Sequence, residues 1–176
     1  MTKHDYIVAI DPDCEKSGVA TLRTSDKYMV CESLTFPKVL DNLLFCKNMA
    51  EKSESSLLII VEAGWLNGSN WHLHPRDTKA LAASKGNAVG RNHETGRKIV
   101  EMCKHYGLDV VEQKPLKKCW NGQDGKITQQ EIEHFIPNFP RRSNQEVRDA
   151  ALIAWNYAGY PIRVKAAVWK KGRTLA

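Results

Sequence analysis

The sequence predicts an α/β layer sandwich, a mixed central sheet of about five strands flanked by helices. Two short apolar runs, Tyr6–Ile10 and Leu57–Val61, are bounded by turn-formers and rich in β-branched residues. That pattern marks strands buried on both faces. Around them the apolar period changes to helical spacing, so strands and helices alternate along the chain. Each run also ends on a single acid, Asp11 and Glu62. If the two strands lie parallel and adjacent, both acids stand at the carboxyl rim of the sheet, where open α/β sheets keep their sites.

The remaining elements follow in order. Pro12 to Ser17 is a turn, and Gly18–Arg23 and Tyr28–Leu34 form a hairpin with one wet face. From Pro37 to about Lys52, Val39, Leu43, Leu44 and Met49 fall near helical spacing, with Pro37 in the first turn. The strand ending in Glu62 comes next. Trp65 to Gly86 is polar and irregular, with a short helix at Asp77–Ser84. A longer helix spans Asn87–Tyr106 and stops at Gly107. Leu108–Glu112 is a short strand, and Lys114–Lys126 a loop punctuated by Pro115, Gly122 and Gly125. Thr128 with Glu131 is a capping box for a helix reaching Phe135. Asn144 caps the last helix, whose Val147, Ala151, Ala154 and Ala158 form an apolar stripe.

At 176 residues the chain has the length of a single domain, with a basic tail from about 161 to 176. No apolar run approaches a membrane span or a signal peptide core. The five cysteines are scattered and odd in number, which reads as reduced thiols in a cytoplasmic protein. The net charge is +6. Arg163, Lys165, Lys170, Lys171 and Arg173 crowd the tail, and Lys114, Lys117 and Lys118 follow the Leu108–Glu112 strand. Such clusters are either a solvated surface or contacts to a polyanion, and acids gathered for metal favour the second.

Near the end of the chain Glu146 and Asp149 stand three apart at a helix start, so they share a face. Acids in a first turn also suit the helix dipole. That explanation leaves Asp11 and Glu62 without a reason to be acidic. Four carboxylates at one rim form a site for a divalent cation, and hard oxygen donors suit Mg²⁺. His72-x-His74 has only Asp77 near it and makes a poor zinc site, while His93, His105 and His134 read as surface residues.

These residues resemble a family. Ala9-Ile10-Asp11-Pro12 followed by Gly18 is similar to the opening of RuvC-type Holliday-junction resolvases, which have a ribonuclease H-like fold. Ile60-Val61-Glu62 resembles their second acid, and Gly90-Arg91 into Gly96-Arg97 their long central helix. Lys114-Pro115, Lys117-Lys118 and Trp120 resemble the Pro-x-x-Trp-Lys neighbourhood of phage-like members, with Lys and Trp in a different order. Glu146-x-x-Asp149-Ala150 resembles the final Asp-x-x-Asp-Ala. Asp13 departs from the family glycine, and Glu146 stands where many members have aspartate.

The resemblance implies a ribonuclease H-like three-layer sandwich and a Mg²⁺-dependent endonuclease resolving branched DNA, with Mn²⁺ able to substitute. Two ions roughly 3.5–4 Å apart would activate water and stabilise the leaving oxygen. Asp11 would bridge them, with Glu62 and Asp149 each completing one and Glu146 assisting. Lys117 or Lys118 would stabilise the transition state or hold a phosphate. Trp65 would stack at an open junction or fold back on the domain. Arg91, Lys114 and the tail would contact DNA, and a homodimer would place two sites on two strands. The alternatives are a less selective flap, fork or single-strand nuclease, and an inactive nucleic-acid binding module.

Overall fold

The structure, a computed structural model, describes residues 4–68 and 78–162. In order it comprises β1 (Tyr6–Asp11), β2 (Ser17–Arg23), β3 (Tyr28–Leu34), α1 (Phe36–Lys52), β4 (Leu57–Glu62), α2 (Lys79–His105), β5 (Val110–Gln113), α3 (Gln129–Glu133) and α4 (Gln145–Tyr157). Single 3-10 turns lie at Gly64–Leu66 and Gln123–Gly125. The sheet order is β3-β2-β1-β4-β5. Strands β1, β2 and β3 pair antiparallel, whereas β1, β4 and β5 run parallel. This is the mixed five-stranded sheet flanked by helices that the sequence predicts.

Alternation along the central strands explains the two helical layers. Ile7, Ala9, Leu58 and Ile60 point to one side and form a core with α3 and α4. Val8, Ile10, Ile59 and Val61 point to the other, against Val39 and Leu43 of α1 and Ile99, Val100 and Cys103 of α2. Each strand residue is needed by one layer or the other, so the runs carry no polar residue until they leave the core. In the parallel register Ile10 faces Val61, and Asp11 and Glu62 follow side by side at the rim.

Four readings are corrected. The hairpin's wet face does not include the first half of β2. Ser17, Gly18, Val19 and Ala20 are all buried because α4 packs on one side of β2 and α1 on the other. The wet face is confined to Thr21 and Arg23 at the end of β2 and to β3, where Tyr28 and Val30 are exposed. On α1, Leu44 and Met49 are exposed, and Val39, Leu43 and Ala50 make the contact instead. The two helices expected across Asp77–Ser84 and Asn87–Tyr106 are one 27-residue helix. No proline interrupts residues 79–105, and each internal glycine costs only about 1 kcal/mol relative to Ala. Finally, β5 begins at Val110 rather than Leu108.

The expected stop of α2 and the caps of α3 and α4 are present, although α3 ends at Glu133 rather than Phe135. Gly107, at φ +67°, ends α2 in a Schellman motif, with Gly107 N donating to Lys104 O and Leu108 N to Cys103 O. The Thr128–Glu131 capping box is present on α3. Asn144 caps α4, its side chain accepting from Val147 N. All five cysteines are free thiols. Most of the expected basic tail, with Arg163, Lys165, Lys170, Lys171 and Arg173, lies outside the described residues, as do His72, His74 and Asp77. No helix among the described residues is long and apolar enough to cross a membrane.

Candidate active site

Three pieces of chain bring the acids together. Strands β1 and β4 deliver Asp11 and Glu62 by register. Helix α4 delivers Glu146 and Asp149, and its approach depends on Gly18, which pairs with Asp11 across the hairpin. A Cβ at Gly18 would lie 2.0 Å from the carbonyl oxygen of Glu146, so only glycine admits the helix this close. The four acids line one cleft of about 500 Å³.

Lys117, Lys118 and Lys126 line the same cleft. Their loop folds back on itself, with Trp120 N donating to Gly125 O and Gly122 N to Lys126 O, both at 3.0 Å. The fold-back brings Lys126 beside Lys118. Trp120 anchors the loop by stacking on Phe135, ring centroids 6.0 Å apart.

The charges respond to one another. Burial pushes the Asp11 carboxyl well above the usual carboxylate range, and Glu62, Asp149 and Glu146 push it further. Burial also raises Glu62, and nearby Asp149 adds to that, while its hydrogen bond with Asp11 and the charges of Lys118 and Lys126 oppose the rise. Asp149 is raised by burial against the opposing effects of Gln145, Lys126, Lys118 and Arg148. Carboxylates that repel one another at short range gain most from a cation between them. The donor set is all oxygen, as a hard divalent ion requires, so the residues fit the implied metal in kind. As they stand, no three acidic, histidine or cysteine side chains among the described residues already converge as ligands. Instead, Asp11 and Glu62 share a hydrogen bond.

The other predicted residues are distributed unevenly. Arg91 and Lys114 are exposed and stand outside the cleft lining. Trp65 lies back on the domain. Its Nε1 donates to Glu112 Oε2 at 3.0 Å, and its ring meets His93 edge-on and lies below the Arg97 guanidinium. A Cβ at Gly96 would sit 2.5 Å from the Trp65 ring, so that glycine makes the seat for the indole. These contacts pack Trp65 on the domain while leaving it half-buried. Asp13 lines the same cleft, with both carboxylate oxygens engaged. Its Oδ1 accepts from Glu15 N and Lys16 N, and its Oδ2 accepts from Asn92 Nδ2, so it shapes the turn after β1. Asn92 also accepts from Cys14 N, tying that turn to α2. Cys14 has no further role in this arrangement. His93 is half-buried and lines the cleft, rather than lying on open surface.

Sequence reasoning missed Lys126, Asn92, Gln145 and Arg148. For Lys126 a signal existed: Gly122 and Gly125 mark a tight reversal that returns the chain to Lys118. Asn92 carries no motif, because its partner Asp13 lies 79 residues away.

No protein-family model matches the chain, and no curated protein matches it. Among solved structures, T. thermophilus RuvC in complex with Holliday junction substrate matches at 13% identity and a TM-score of 0.46. The match covers 86% of this chain and 90% of that one.

Proposed function

We propose that this chain is a divalent-metal-dependent endonuclease that hydrolyses phosphodiesters in branched DNA. One observation carries the reading: Asp11, Glu62, Glu146 and Asp149 face Lys117, Lys118 and Lys126 across a single cleft at the ends of two parallel strands. Asp11, Glu62 and Asp149, with Glu146, would hold Mg²⁺ or Mn²⁺, two ions per site. Bound there, the metal supplies Lewis-acid activation of a phosphodiester and its attacking water. Lys118 and Lys126, whose charges already reach Glu62 and Asp149, hold the phosphate and offset the charge that develops on it. Branched DNA as substrate, action as a homodimer and crossover-junction cleavage rest on the sequence motifs and the net charge of +6.

A second reading is favoured by Trp65. Its ring packs on Gly96 and His93 and its Nε1 on Glu112, a seat that needs no junction and supports a nuclease that also cuts flaps, forks or single strands. Synthetic four-way junctions, flaps, single strands and duplex, each with Mg²⁺ or Mn²⁺, separate these. Paired symmetric nicks in junctions support the first reading, and cutting of flaps or single strands supports the second. No cutting of any substrate, with binding retained, makes the chain a nucleic-acid binding module.

A further inference from the structure

We infer that Gln145 and Arg148 are positioning residues that fix Asp149 and the lysine loop at one separation across the cleft, an inference that rests on the cleavage reading above. The Gln145 Nε2 donates to Asp149 Oδ1 at 2.8 Å, and its Oε1 accepts from Arg148 Nη2 at 2.8 Å. The amide is therefore held at both ends and cannot turn without breaking a bond. One oxygen of Asp149 is committed to this bond, which sets the rotation of the carboxylate.

Arg148 extends the linkage to the opposite wall. Its Nε donates to Ile127 O at 3.1 Å and its Nη1 to Ser143 O at 2.7 Å. Ile127 directly follows Lys126 and is almost wholly buried. One guanidinium thus joins the helix that carries the acids to the loop that carries Lys118 and Lys126. The planar fork matters, because three donors in fixed directions meet acceptors on two segments, Ile127 on one and Ser143 and Gln145 at the start of α4 on the other. A lysine ammonium keeps the charge beside Asp149 but not that geometry.

Partners of this kind orient metal-binding carboxylates, and losing one typically weakens metal affinity 10–100-fold. The test uses thermal melting of the full chain against Mg²⁺ or Mn²⁺ alone, together with steady-state cleavage. Gln145→Leu keeps the size of the side chain and removes both hydrogen bonds. Its metal concentration for half-maximal stabilisation is expected to rise 10–100-fold, with kcat reduced and KM for DNA unchanged. Arg148→Lys is expected to move the metal midpoint in the same direction. A Gln145→Leu midpoint and kcat that track wild type overturn the inference while leaving the cleavage reading intact. A wild type that neither shifts with metal nor cuts any substrate overturns both.

Discussion

Replacing Gly18 with alanine tests how the site is assembled, independently of substrate. The new Cβ would lie 2.0 Å from Glu146 O and 2.6 Å from Val147 N, against the 3.0 Å that real Cβ atoms keep. Both atoms are backbone, so no side chain can rotate away. The first turn of α4 must retreat from β2 by about 1 Å, in an interior that packs too densely to absorb it. Overpacking of this kind costs about 1–3 kcal/mol. For a domain this size, that lowers the melting temperature by about 2–12 °C. The retreat also carries Glu146 and Asp149 away from Asp11, and a 1 Å misplacement costs about 100-fold in rate. Melting curves with and without Mg²⁺, followed by single-turnover cleavage, read the two effects separately. A Gly18→Ala protein that melts within about 1 °C of wild type and keeps its metal response refutes the claim that this contact sets the acids.

Other outcomes follow from the charges and thiols. The Asp11 pKa is raised on folding, so its carboxyl favours the fold when protonated and opposes it once pH rises through the folded value. Asp11→Asn should therefore melt higher than wild type at neutral pH without metal, and lose cleavage. Mg²⁺ at about ten times its Kd adds about 1.4 kcal/mol to wild type, and the variant should gain less. Burial tends to raise the pKa of Glu131, but hydrogen bonds from Thr128 and Asn121 outweigh it and hold the carboxylate low. Its contribution is present above the unfolded value of about 4.3 and is lost as pH falls through the folded one. Glu131→Ala should thus cost about 1–3 kcal/mol at pH 7, a gap that closes in acid melts. Burial pushes the Cys31 and Cys103 thiols up to about 12, whereas Cys119 is exposed. Ellman's reagent should modify Cys119 first, and Cys119→Ser should remove the fast phase.

The strands, the caps and the four acids were legible in the sequence because each depends on neighbours close along the chain. Ile10-Asp11 and Val61-Glu62 show where a buried strand meets its rim, and Thr128-x-x-Glu131 spells its own cap. What was not legible depends on partners distant in sequence. Leu44 and Met49 fit the helical period of α1, but they stand exposed while Val39 and Leu43 are buried. Asp13 was readable as an acid near the rim, yet Asn92 decides its role. Trp65 left two fates open, and the seat it takes on the domain depends on Gly96, 31 residues away. The single long α2 was concealed by glycines that suggest a break, although each costs a helix only about 1 kcal/mol.

That helix is held unevenly. Its buried residues are Gly96, Ile99, Val100 and Cys103, all in the second half, while Lys79 to Gly90 stands largely in solvent. Mechanically, α2 is a cantilever of about 18 Å, at 1.5 Å of rise per residue, clamped at one end by the core. Near the middle of the helix, Asn92 grips both Cys14 N and Asp13. Amide exchange should grade along the rod, fastest near Lys79 and slowest near Cys103. A sideways load that reaches the Asn92 joint passes from there to the turn that follows Asp11.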